Sequence, residues 1–144
     1  MDLNKVVHKQ PTLATPETTV LDAIKMMAAS KVGAIVVVND ANKVQGIFTE
    51  RDNLLRVTLS EKNPRTTWLA EVMTAPVVTC KGDLQHEEAL SIMVRNRYSC
   101  LPLVDDSNTV VGVVTIRDLL MRRISEKETA IQTLEAFASA GGPG

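Results

Sequence analysis

Two short stretches hold the residue types that could do chemistry: Gly46-Ile47-Phe48-Thr49-Glu50-Arg51-Asp52 and Gly112-Val113-Val114-Thr115-Ile116-Arg117-Asp118. Each reads Gly-apolar-apolar-Thr-x-Arg-Asp. The chemistry on offer is recognition. Arg presents a planar charged fork suited to phosphate, Thr adds a hydroxyl donor, and a carboxylate can accept from both hydroxyls of a ribose. If a helix starts at the Thr, its first-turn amides and positive dipole also favour an anion. The same spacing has a purely local reading. In Thr-x-x-Asp the hydroxyl caps a first-turn amide while the carboxylate reaches back, forming a capping box. The residues alone leave both readings open. The leading Gly suits a close backbone approach or an unusual dihedral.

The elements that must position these residues are themselves doubled. An offset of 66 positions aligns the two motifs, and it also aligns Leu3 with Leu69, Val6 with Val72, Ala23 with Ala89, Met27 with Met93, Val38 with Val104 and Leu54 with Leu120. The chain is a tandem repeat without net insertion, with copies at 3–61 and 66–124. Neither copy is large enough to bury a sound core alone, so the two must pack together.

Within each copy the periodicity predicts helix, strand, strand, helix. Val20, Ala23, Ile24 and Met27 form a helical stripe preceded by the capping candidates Thr18 and Thr19, and Ala89, Leu90 and Met93 repeat it. Residues 34–38 and 100–104 are continuous apolar runs that need cover on both faces, so they read as central strands. Asn39-Asp40-Ala41-Asn42 and Asp105-Asp106-Ser107-Asn108 are turn clusters, and residues 44–48 and 110–114 return as the second strands of hairpins. A short strand is expected ahead of each, at 12–14 and 77–80. The last helix of each copy should begin at the motif. Ser125-x-x-Glu128 reads as a further capping box, opening a separate amphipathic helix over 125–140 with Ile131, Leu134 and Phe137 on one face, before a tail at 141–144. Trp68 is expected to anchor the start of the second copy.

Composition narrows the function classes. The chain of 144 residues is 44% hydrophobic, which fits one compact domain, and it has no apolar run of about 18 residues that could span a membrane. Its start lacks a signal-peptide pattern, so a cytoplasmic location is expected. Lys plus Arg (16) nearly cancel Asp plus Glu (17), and aromatics are 3%, which argues against nucleic-acid binding. Cys80 and Cys100 read as buried unpaired thiols. His8 and His86 fall at different repeat positions, outside any metal-ligand spacing, and read as solvated or capping residues. No metal site, nucleophile elbow or Walker loop is present, so no catalysis and no catalytic cofactor are expected.

At the doubled motif, the Val72-Met73-Thr74 lead-in, the Ala89/Met93 helix and Leu101-Pro102-Leu103-Val104-Asp105, nearly the whole chain resembles a tandem pair of cystathionine-β-synthase (CBS) domains, also called a Bateman module. The resemblance implies an α/β (α+β) fold of two pseudo-symmetric repeats, each a small sheet with two helices, enclosing two clefts that take adenosine-containing ligands. AMP, ADP or ATP would be the regulatory ligand, with NAD or S-adenosylmethionine as alternatives. It further implies that one cleft combines Thr115, Arg117 and Asp118 with Thr12, Leu13, Val32, Gly33 and Ala34. The mirror cleft would combine Thr49, Arg51 and Asp52 with Val78, Thr79, Tyr98, Ser99 and Cys100. Homodimers are common in the family.

The clefts should differ. Copy one departs from the family pattern, with Val36 where copy two has Pro102 and Leu13 where it has Thr79. Small Gly33 and Ala34 should give the Asp118 cleft more room for a flat base than Tyr98, Ser99 and Cys100 give its mirror. Stacking on the Tyr98 ring is the opposing consideration, since it could strengthen the Asp52 cleft by about 1–3 kcal/mol. The function expected is ligand-dependent regulation of a partner or of the chain's own assembly. A ligand-free dimerisation module is the alternative.

Overall fold

The structure, a computed structural model, describes residues 11–141. The expectations resting on Leu3, Val6 and His8, and on the tail beyond Gly141, lie outside the described residues.

The expected order of elements is present in both copies. In copy one, β1 (Leu13–Ala14) is followed by α1 (Val20–Ser30), β2 (Ala34–Val38) and β3 (Val44–Thr49). Helix α1 starts where Thr19 Oγ1 accepts from the Asp22 amide at 3.2 Å, and of the stripe read from the sequence it buries Val20, Ala23 and Met27, with Ile24 partly buried beside them. In copy two, α4 (His86–Asn96) buries Ala89 and Met93 and leads into β4 (Cys100–Val104) and β5 (Val110–Thr115).

The two hairpins are close copies of each other. Asn39 Oδ1 accepts from the amides of Ala41 and Lys43, and Asp105 Oδ1 accepts from those of Ser107 and Thr109. Asn42 and Asn108 take the left-handed conformation, at φ 62 and 63°, which Asn tolerates better than most residues. Each hairpin also carries a register shift at the equivalent step, Val37/Val38 and Leu103/Val104.

The sheets are unequal. Copy one has three strands, β1-β2-β3, with β1 parallel to β2, whereas copy two has β4-β5 and a single parallel bridge from Cys80 to Leu103. The strand expected at 77–80 is reduced to that bridge. Pro102 lacks an N–H, so it has nothing to donate to the segment before Cys80, while Val36 at the equivalent place of copy one does.

Two apolar clusters form the cores of the copies, and a third, of Val36, Val38, Val104 and Val110 with Leu13, Val44 and Val113, joins them. At this seam the hairpin tips meet. The Val110 amide donates to Asn42 O at 3.0 Å, and Asn42 Nδ2 donates to Val110 O at 3.1 Å.

The repeat boundary is not the packing boundary. Leu69 and Val72, on the one-turn helix α3 (Leu69–Val72), belong to the core of copy one. Thr74 continues the connection by pairing with Ile47 on the edge of that sheet, with N–H···O distances of 2.8 and 3.0 Å. Trp68 is half exposed, so the anchor of this segment is Leu69 and Val72 rather than the indole.

The last helices also differ. After the motif of copy one comes α2 (Glu50–Asp52), which widens into a π-helical stretch, Asn53–Thr58, with Val57 buried. After the motif of copy two, α5 runs unbroken over Ile116–Gly141. Ser125 therefore does not open a separate helix. Its carbonyl accepts from Thr129 Oγ1 at 2.9 Å inside a continuing turn, because nothing between Arg122 and Glu128 breaks the helix and Arg122 reaches Glu126 at 3.4 Å along it. From Ser125 to Ser139 every residue is exposed, including Ile131, Leu134 and Phe137. Among the described residues no helix is long and apolar enough to cross a membrane.

Candidate ligand-binding clefts

Each motif ends a strand and opens a helix, so its side chains project from a strand–helix corner. At the first corner the capping box is complete. The Asp52 amide donates to Thr49 Oγ1 at 3.1 Å, and the Thr49 amide donates to Asp52 Oδ2 at 3.1 Å. The other carboxylate oxygen, Oδ1, accepts from Thr74 Oγ1 at 3.0 Å and lies 3.7 Å from Arg56 Nε. Asp52 is thereby buried, 7% exposed, with both oxygens engaged.

The second corner is built differently. The Asp118 amide donates to Thr115 Oγ1 at 3.1 Å, and that hydroxyl donates back to Asp118 Oδ2 at 2.7 Å. Asp118 is only half-buried. The first-turn amides are largely used at both corners, since Glu50 N–H goes to Gly33 O (3.0 Å) and Ile116 N–H to Ser99 O (2.9 Å). An anion would thus rely mainly on the exposed guanidinium groups of Arg51 and Arg117.

Two clefts open at these corners, each combining the motif of one copy with walls from the other. The cleft at Asp118 has a volume of about 580 Å³ and is lined by Thr12, Val32, Gly33, Ala34, Thr115, Arg117 and Asp118 of the expected set. The cleft at Asp52 has about 670 Å³ and is lined by Thr49, Arg51, Asp52, Val78, Tyr98, Ser99 and Cys100. Both sizes fall in the range of small-molecule sites, roughly 300–1,000 Å³.

The structure corrects the sequence reading in two respects. Leu13 and Thr79 lie off the cleft walls. Adjacent residues of an extended segment face opposite ways, so with Thr12 turned to the cleft, Leu13 packs into the seam between sheets. Nor is the Asp118 cleft the roomier. Gly33, Glu50, Ser99 and Cys100 line both clefts, so the small residues of copy one do not enlarge one cleft alone.

Several lining residues escaped the sequence reading. Lys31 and Arg97 sit at equivalent repeat positions as the C-caps of α1 and α4, both left-handed, at φ 56 and 60°, and each lines one cleft. A non-glycine residue there is mildly strained, and the repeat of a cation at that point was the signal available. Thr74 and Glu50 were also missed.

Both thiols and His86 are buried. Burial pushes the Cys80 thiol up to about 11 and the Cys100 thiol up to about 12, which makes both poor nucleophiles. His86, expected to be solvated or capping, is instead buried at the first residue of α4, with Nε2 3.2 Å from Glu87 Oε1. Among the described residues no cluster of three His, Cys, Asp or Glu could hold a metal ion.

The comparisons with known proteins agree with this architecture. A family model described as CBS domain matches residues 3–52 and 69–125. The chain is 38% identical over 120 residues to an inosine-5′-monophosphate dehydrogenase of Methanocaldococcus jannaschii, a match that covers 83% of this chain and 23% of the dehydrogenase. It is 31% identical over 118 residues to the CBS domain-containing protein YhcV of Bacillus subtilis, covering 82% of each. Among solved structures, the CBS domain pair of protein MJ0100, in complex with 5′-methylthioadenosine and S-adenosyl-L-methionine, gives a TM-score of 0.78 at 25% identity, covering 88% of this chain and 98% of that one.

Proposed function

This chain belongs to the CBS-domain family, and on that premise we propose that it is a cytoplasmic regulatory module that binds an adenine nucleotide between its two repeats and performs no reaction itself. The observation that carries this reading is the corner at Asp118. A half-buried carboxylate oriented by Thr115 stands beside Arg117 and faces the small residues Gly33 and Ala34 across a cleft of about 580 Å³. Asp118 would take the ribose hydroxyls, Gly33, Ala34 and Val32 the base, and Arg117 with Lys31 the phosphate. The mirror cleft would be the weaker nucleoside site, because Asp52 is buried whereas Asp118 is half-buried and more accessible to a ligand. AMP, ADP and ATP are the leading ligands. S-adenosylmethionine is the second reading, favoured by the ligands of the MJ0100 pair.

Binding would be passed on through assembly. The exposed stripe Ile131, Leu134 and Phe137 on α5 is apolar surface suited to a second copy of the chain, and a homodimer is the state proposed. A thermal-shift series with AMP, ADP, ATP, NAD and S-adenosylmethionine, followed by calorimetric stoichiometry, tests the reading. A rise in melting temperature with one adenosyl ligand is expected. No shift with any of the five would leave a structural dimerisation module.

A further inference from the structure

Among the described residues, the wall common to the two clefts carries a single charged side chain. Of Gly33, Glu50, Ser99 and Cys100, which line both, only Glu50 has a carboxylate side chain. Its backbone amide is fixed to Gly33 O at 3.0 Å, and its carboxylate lies over Gly33, so close that a Cβ built on that glycine would stand 3.4–3.6 Å from the carboxyl carbon and oxygens. Glu50 is exposed, and among the described residues its carboxylate has neither a hydrogen bond nor an ion pair. An acid is favourable at a helix start, but copy two places Ile116 at the equivalent position, so the fold does not require one.

The charge balance of each cleft turns on this residue. Among the described residues the Asp118 cleft sets Lys31 and Arg117 against Asp118 and Glu50. Among the described residues the Asp52 cleft sets Arg51, Arg56 and Arg97 against Asp52 and Glu50, one positive charge in excess. We infer that Glu50 is the specificity-determining residue for ligand charge in both clefts, lowering the affinity of each for polyphosphates relative to a monophosphate and raising it for a sulfonium. This rests on the adenosyl-ligand reading above and narrows it to ligands of low negative charge. The physical basis is Coulombic: an uncompensated carboxylate repels phosphate at short range in a partly enclosed space and attracts a sulfonium.

The test is calorimetric binding of adenosine, AMP, ATP and S-adenosylmethionine to the full chain and to Glu50→Gln. In the variant, AMP should gain on adenosine by about two- to fivefold, the range for a partly exposed charge pair. ATP should gain more, S-adenosylmethionine should lose, and adenosine itself should hold. These differences should contract at about 0.5 M salt, where screening acts within a few ångströms. Unchanged ratios overturn the inference, as does one common factor for all four ligands, which would mark a change of shape rather than of charge. Should Glu50→Gln fail to fold, Glu50→Ile, which installs the copy-two residue, supplies the same comparison. If the parent binds none of the four, the adenosyl-ligand reading falls and this inference with it, whereas binding with unchanged ratios removes the inference alone.

Discussion

Thr74 Oγ1 donates to Asp52 Oδ1 at 3.0 Å, so a hydroxyl from the lead-in of copy two occupies the carboxylate of copy one. This contact, with Arg56 at 3.7 Å and the Thr49 amide at 3.1 Å, turns one of two sequence-equivalent aspartates into a structural residue. Its partner in the repeat, Asp118, keeps a half-buried carboxylate on a cleft wall.

The two aspartates should therefore separate by phenotype. Asp118→Ala is expected to weaken adenosine-ligand binding by about 1.5–3 kcal/mol, the worth of hydrogen bonds to a charged group, at a stability cost near 1 kcal/mol for the lost hydrogen bond from the Thr115 hydroxyl. Asp52→Ala should show the reverse, losing about 1–3 kcal/mol of stability because the Thr49 amide and the Thr74 hydroxyl lose their acceptor. Calorimetry and urea unfolding on both variants check this. Equal binding losses would show that Asp52 also reads the ribose.

Arg117→Gln should weaken ATP and ADP more than adenosine, because an exposed guanidinium on the cleft wall would act on the phosphates rather than on the nucleoside. Arg51→Gln should do the same at the other cleft. Both effects should shrink with added salt, which screens exposed charges over roughly 8 Å at physiological strength. Equal losses for adenosine and ATP would indicate a damaged helix start.

Gly46 accounts for the first residue of one motif. A Cβ there would stand 2.5 Å from Met73 Sδ, 2.9 Å from its Cγ and 3.1 Å from the Thr74 carbonyl oxygen. Gly46→Ala should cost about 1–3 kcal/mol, as overpacking does, by pushing the 73–74 segment off the sheet edge. Urea midpoints measure the loss, and a double variant with Met73→Ala should recover part of it, since the sulfur is the closest obstacle.

The thiols should be silent in the folded chain. With Cys80 raised to about 11 and Cys100 to about 12 by burial, both are protonated at pH 8, and alkylation should proceed only through unfolding. The sign of the pH effect follows. Above the ordinary thiol value of 9.0 the unfolded chain loses these protons first, so their contribution to stability is complete below pH 9 and falls as pH rises toward 11–12. Bound ligand should slow Cys100 labelling further, because that residue lines both clefts.

On α5, Leu134 and Phe137 are 68% and 78% exposed. The chain should sediment at twice its monomer mass, and replacing both residues by Glu should shift it toward monomer. A truncation after Ser125 that leaves the dimer intact would place the interface elsewhere on the molecule.

The sequence by itself determined whatever is periodic or local. A constant offset of 66 gave the two copies, apolar spacing gave α1, α4 and the paired hairpins, and Thr-x-x-Asp gave both strand–helix corners. The pairing of each corner with walls from the opposite copy came from resemblance, and the structure places most of those residues together. Tertiary structure decided what depends on contacts between distant segments. A repeat offset carries no information about which copy a connecting segment packs on, so the docking of Leu69 and Val72 into the first core, and of Thr74 onto Asp52, could not be read from it. Strand alternation settled that Thr12, not Leu13, faces a cleft, once parallel pairing with β2 fixed the register. Glu50 on the shared wall is likewise a product of contacts between distant segments, its amide bonded to Gly33 O. Its position in the chain shows an acid at a helix start, and only the fold brings that carboxylate between two cavities.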